Sequence, residues 1–97
     1  MTCFEISVNG RKICTAGVSE GVLSLHADWV GPCTGRGKDT SRGRAYWSVG
    51  GLTEERGYEE YVRWGEFRKL APGDVLTVRV VSSKSADRPK RERKKSN

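Results

Sequence analysis

His26 is the only histidine in the chain, and Asp28, two residues on, would share its side of an extended strand. Such a pair can act locally as acid and base. Catalysis also needs a nucleophile or metal and an oxyanion site, and no residue pattern supplies either. His26 reads as a polar surface residue, and the chain as a non-enzyme. The stretch Gly31-Pro-Cys-Thr-Gly-Arg-Gly-Lys38-Asp39-Thr40 has the look of a phosphate-binding P-loop but departs from it twice. Five residues rather than four separate Gly31 from Gly37, and Asp39 stands where a hydroxyl must reach magnesium. Nucleotide hydrolysis is excluded on that ground.

Arg42-Gly43-Arg44-Ala45-Tyr46-Trp47-Ser48-Val49 matches the RNA-binding RNP1 pattern in part, with agreement at Arg42, Gly43, Ala45 and Tyr46. An RRM also needs a helix after its first strand, where this chain turns straight back at Asn9-Gly10. The physics survives without that family: a basic loop running into Tyr46 can neutralise and stack on a single strand. The bland reading makes Trp47 a core residue and Tyr46 a half-exposed one. Cys3, Cys14 and Cys33 lack the spacing of a zinc knuckle, and their odd count opposes a closed disulfide framework. Glu54, Glu55, Glu59 and Glu60 have no metal-loop spacing and read as a solvated acidic edge. No metal or cofactor is expected.

Charge is unevenly placed. Of the net +6, Lys84 to Asn97 contributes +5 through Lys84, Arg88, Lys90, Arg91, Arg93, Lys94 and Lys95 against Asp87 and Glu92. Residues 1–83 are left at +1, split between a basic loop and an acidic segment. The loop, Gly31 to Arg44, holds Arg36, Lys38, Arg42 and Arg44 against Asp39; Gly51 to Glu60 is acidic. The acidic segment has the charge to hold either the loop or the tail. The division expected is a β-rich domain over 1–83 and a basic, disordered tail over 84–97. The N-terminus lacks the features of a signal peptide, and no apolar run approaches a membrane span, so a reducing cytoplasm is expected.

The elements that must position these residues are strands. Phe4, Ile6 and Val8 alternate with polar neighbours up to Asn9-Gly10, the signature of a two-residue type I′ hairpin. That register sets Ile6 opposite Ile13 and Phe4 opposite Thr15, with Cys3 and Cys14 on one face. Leu23, Leu25, Ala27 and Trp29 mark one face of a third strand, Trp47 and Val49 one face of a fourth. Thr53 to Phe67 carries both spacings, and a strand near Glu60 to Trp64 is favoured over a helical turn. Pro72-Gly73-Asp74 is a turn before a final strand, Val75 to Val81, with Leu76, Val78 and Val80 facing in. The fold class expected is mainly β, a single small barrel or sandwich of five to six short antiparallel strands.

Several segments together have a familiar order: Phe4-Glu5-Ile6-Ser7-Val8-Asn9 with Cys14-Thr15-Ala16-Gly17, Gly21-Val22-Leu23-Ser24 leading to Trp29-Val30, Val49-Gly50-Gly51-Leu52, and Trp64 before Pro72-Gly73-Asp74. The chain resembles a group of small bacterial β-rich proteins with no known activity, which implies a bacterial, cytoplasmic setting and no site residues. The functional expectation is a non-enzymatic module that contacts nucleic acid or another polyanion through Arg36, Lys38, Arg42, Arg44 and Tyr46 and through tail residues Arg88, Lys90, Arg91, Arg93, Lys94 and Lys95. An acidic protein is a partner of the same kind as nucleic acid; the alternative is a protein-interaction or inhibitor module that uses a strand edge, which includes pairing with a second copy, or the acidic patch.

Overall fold

A computed structural model describes residues 1–32 and 43–93, apart from the side chains at 66 and 67, and gives Asn9 and Gly10 φ angles of 53° and 78°. Both central turn residues are thus left-handed, as a type I′ turn requires. The turn joins β1 (Thr2–Val8) to β2 (Arg11–Gly17). Asn9 also ties the turn to a distant segment: its Oδ1 accepts the Val75 N–H at 2.9 Å, and its backbone N–H donates to the Val75 carbonyl at 2.9 Å. β6 (Leu76–Ser82) starts there and pairs antiparallel along the other side of β1, giving a sheet ordered β2-β1-β6.

The second sheet is ordered β3-β4-β5-β7, from β3 (Gly21–Val30), β4 (Arg44–Thr53), β5 (Glu60–Leu70) and β7 (Lys90–Arg93). The described residues thus form an all-β, sandwich-like fold of two antiparallel sheets, not a closed barrel. The ambiguous stretch resolves into a turn followed by β5, a longer strand than the apolar spacing alone suggests. The strand count exceeds the expected range because of β7, which has no apolar residue to announce it.

Inner faces meet in a core of Ile6, Cys14 and Ala16 from one sheet and Trp47 and Val49 from the other. Phe4, Val8, Leu23, Leu25, Trp64 and Leu70 pack around it. The hairpin register departs from expectation. A bulge after Ile6 leaves Ile6 opposite Cys14 and Phe4 opposite Ala16, so Ile13 is the additional residue. The shift puts the small side chains Cys14 and Ala16 in the buried cluster with Trp47, where a regular hairpin would have placed Ile13 and Thr15, and Ile13 packs at its margin. It also puts Cys3 and Cys14 on opposite faces, each buried and free, rather than side by side. Val78 and Val80 share the inner face with Ile6 and Phe4, yet Val80 is 65% exposed, because β6 is an edge strand that the second sheet does not cover.

Over its described part, the segment from Lys84 onward is not a free tail. Asp87 bonds to both backbone groups of Thr15: its N–H donates to the Thr15 carbonyl and its Oδ2 accepts the Thr15 N–H, each at 2.9 Å. Residues Lys90–Arg93 then pair with Glu60–Arg63 of β5. One segment therefore bonds the edge of β2 in the first sheet and the edge of β5 in the second, and acts as a clasp along that side. Among the described residues the opposite edges, β3 and β6, stay open.

Candidate functional site

The clasp is held by charge. Glu60 is 3% exposed, and its Oε1 accepts a hydrogen bond from Arg91 Nη1 at 3.2 Å, with Arg56 at 3.8 Å. Arg91 also reaches Glu55 at 3.8 Å, and the Arg93 guanidinium lies 4.5 Å from the centre of the Tyr58 ring. The acidic segment thus binds the basic one that follows Lys84. Two of the expected ligand contacts, Arg91 and Arg93, are engaged in holding the strand in place.

Glu55 illustrates how that network is tuned. Burial works to raise its carboxyl pKa, but hydrogen bonds from the Ser19 N–H and side chain and the nearby Arg91 charge carry the net shift downward. Asp74, accepting from the Ala71 N–H at 2.7 Å and from Asn9 at 3.0 Å, is also held below its ordinary value. A carboxyl lowered by folding is protonated first in the unfolded chain. It adds stability above its unfolded pKa and loses it as pH falls through the folded one. Urea midpoints are expected to be flat from about pH 7 to 5 and to drop below about pH 4. Glu55→Gln should shrink that acid drop; an unchanged drop would remove Glu55 from its causes.

Beyond Arg63 the clasp leaves β5, and the strand edge opens into a notch of about 400 Å³ lined by Arg63, Trp64, Gly65, Arg68, Arg88 and Lys90. Its described lining contains four cationic side chains and no carboxylate. Trp64 Nε1 donates to the Asp87 carbonyl at 2.6 Å and so fixes the approach of Arg88 to β5. The Arg68 guanidinium sits 5.9 Å from the Trp47 ring, whose far edge lies against Gly65; a Cβ there would meet it at 3.2 Å. Arg63 has Glu92 at 4.0 Å, so its charge is shared with the clasp.

Of the sequence candidates, Arg88 and Lys90 are brought together here. Arg44 is exposed and Tyr46 half-buried, on the outer face of β4 away from the notch lining. Arg36, Lys38, Arg42, Lys94 and Lys95 lie outside the described residues, as does Cys33. Arg63 and Arg68 are not among the site residues expected from the sequence, and Trp64 enters there only as a strand end and as part of the resemblance. Their only signal is a pair of arginines around a tryptophan on one strand, a common arrangement. His26 lies on the exposed outer face of β3, and Cys14 is a buried thiol pushed upward first by burial and then by the Asp87 carboxylate. Among the described residues no group of His, Cys, Asp or Glu is placed to hold a metal ion.

On the outer face, a groove of about 500 Å³ crosses the second sheet over Gly50 and Gly51 and shares Arg63 and Gly65 with the notch. No protein family matches the chain, and no curated protein or solved structure matches it either.

Proposed function

We propose that the protein is a non-enzymatic binding module that holds nucleic acid or another polyanion at the β5 notch. The observation that carries this reading is the convergence of Arg63, Arg68, Arg88 and Lys90 on one opening with no described carboxylate in its lining. Arg68, Arg88 and Lys90 held together at such short range raise the local potential more than the same charges spread over a surface, and Arg63 shares its charge with Glu92. A phosphate chain can meet several of these cations at once. Arg68, set against Trp47, and Arg88, set by the Asp87 anchor, lose less side-chain freedom on binding than cations on a free tail would. A cytoplasmic setting belongs to the same proposal.

The test compares the full chain with the double variant Arg68→Gln/Arg88→Gln on a labelled oligonucleotide and on heparin at two salt concentrations. Losing two phosphate contacts should lower the single-strand salt slope by about 1.4 and weaken binding about 25-fold at 0.1 M salt. Arg11→Gln/Arg79→Gln removes the same charge from exposed positions of the other sheet and should change affinity by less than about 3-fold. Equal losses in both doubles would reduce the notch to bulk charge.

A protein partner is the second reading, favoured by apolar exposure on both open edges: Trp29 on β3 is 66% exposed and Val80 on β6 is 65% exposed. Absence of polyanion binding at low salt, together with self-association in sedimentation, would select it.

A further inference from the structure

We infer that the outer groove seats an unpaired nucleobase, so that the polyanion held in the notch is single-stranded nucleic acid. The inference rests on the notch reading and adds a shape requirement to it. Cross-strand pairing across β3, β4 and β5 arranges the outer face in rows. Val22, Leu52 and Tyr61 form one row, Ser24, Gly50 and Arg63 the next, and His26 with Ser48 a third.

Only the middle row lacks a central side chain, which leaves a trough about 10 Å wide between the two flanking strands. Gly50 cannot be exchanged to fill it, because a Cβ there would stand 2.6 Å from the Val62 carbonyl oxygen. One wall is apolar and includes Tyr61, 41% exposed, an aromatic platform of the kind on which bases stack. The other wall offers the Ser48 hydroxyl and the His26 ring, and Ser24 closes the β3 end of the middle row with a further hydroxyl, all groups able to bond to base edges.

Charge fixes the occupant. Arg63, paired with Glu92 at 4.0 Å, ends the middle row and also lines the notch, so the notch with its remaining cations Arg68, Arg88 and Lys90 is continuous with the trough. A ligand that lies across both must carry an anion next to a flat, partly apolar group with polar edges. A nucleotide in a single strand has that form. In a duplex the bases are stacked inward and cannot reach the trough unless flipped.

The experiment measures the full chain against a labelled 12-nucleotide oligouridylate, a duplex of equal phosphate count, and heparin, all at 0.05 M salt. The single strand should bind at least about 10-fold more tightly than the duplex, a factor within the range of one stacked base. Tyr61→Ala and Ser24→Trp, one removing the platform and one filling the trough, should each bring single-strand affinity to the duplex level and leave heparin affinity unchanged. Duplex binding equal to single-strand binding in the unsubstituted protein would overturn the inference while leaving the notch intact. Failure to bind all three ligands would overturn the notch reading itself. Retained single-strand preference in both variants, with unchanged thermal melts, would place the base elsewhere and also overturn it.

Discussion

A chain cut after Ser83 is expected to melt about 20–30 °C below the full chain, in a calorimetric or circular dichroism scan. The cut removes the segment that bonds both sheets. Thr15 loses the partners of its N–H and carbonyl, and Trp64 Nε1 loses the Asp87 carbonyl. At about 0.5 kcal/mol each, because groups freed at an opened edge are met by water, these losses are modest. The larger cost falls on Glu60, 3% exposed, which would keep only Arg56 at 3.8 Å. Removing one member of a buried ion pair costs about 3–5 kcal/mol, and the remaining arginine and the opened edge place this case near the lower bound. The combined loss of roughly 4–5 kcal/mol is a large fraction of the stability expected for a chain of this length. Arg91→Ala in the full chain should reproduce part of the loss. A truncated chain that melts within a few degrees of the full one would show that the clasp adds no stability. Binding experiments therefore belong on full-length variants.

Trp47→Ala is expected to cost about 3–5 kcal/mol, enough to leave the domain largely unfolded at 37 °C. Trp47 is 1% exposed at the centre of the core, in one buried cluster with Ile6, Cys14 and Ala16 of the other sheet. The buried side chains that share the cluster from the first sheet, Cys14 and Ala16 beside Ile6, are mostly small and fill little of the space an alanine would leave. The ring also lies against Gly65 and beneath Arg68, which makes it the support of the notch as well as of the core. Trp29→Ala is the matched control: 66% exposed at a sheet edge, it should cost less than about 1 kcal/mol. Comparable urea midpoints for the two variants would refute the assignment of Trp47 as the core anchor.

Local chemistry was legible in the sequence, and tertiary choices were not. Asn9-Gly10 announces its turn because both residues tolerate positive φ, and the alternation around Leu25 and Val49 announces faces because pleating has a period of two. The bulge after Ile6 escapes such reading, since Ile13 looks as suitable for the centre of the core as Cys14, and only the packed sheets put Cys14 in the buried cluster and Ile13 at its margin. β7 escapes it for another reason. Its stability comes from Glu55, Glu60 and Tyr58, and a purely polar strand carries no hydrophobic period. The notch inherits both difficulties. Arg63 and Arg68 are an odd number of residues apart and would point to opposite faces of a regular strand; they meet Arg88 and Lys90 only at the irregular edge where the clasp departs.

β7 has a consequence for how sequence change in this segment is to be understood. Pairing with β5 sets Arg91 and Arg93 beside Val62 and Glu60, while Lys90 and Glu92 stand beside Arg63 and Tyr61. A pleat one residue deep therefore sorts a basic run into inward anchors and outward groups. Shuffling Lys90–Arg93 would preserve composition, net charge and isoelectric point. Moving Glu92 by a single place would nonetheless set a carboxylate beside Glu55 and Glu60 and turn an arginine outward. In a disordered arm such permutations are interchangeable; on this strand the order of the charges carries the information.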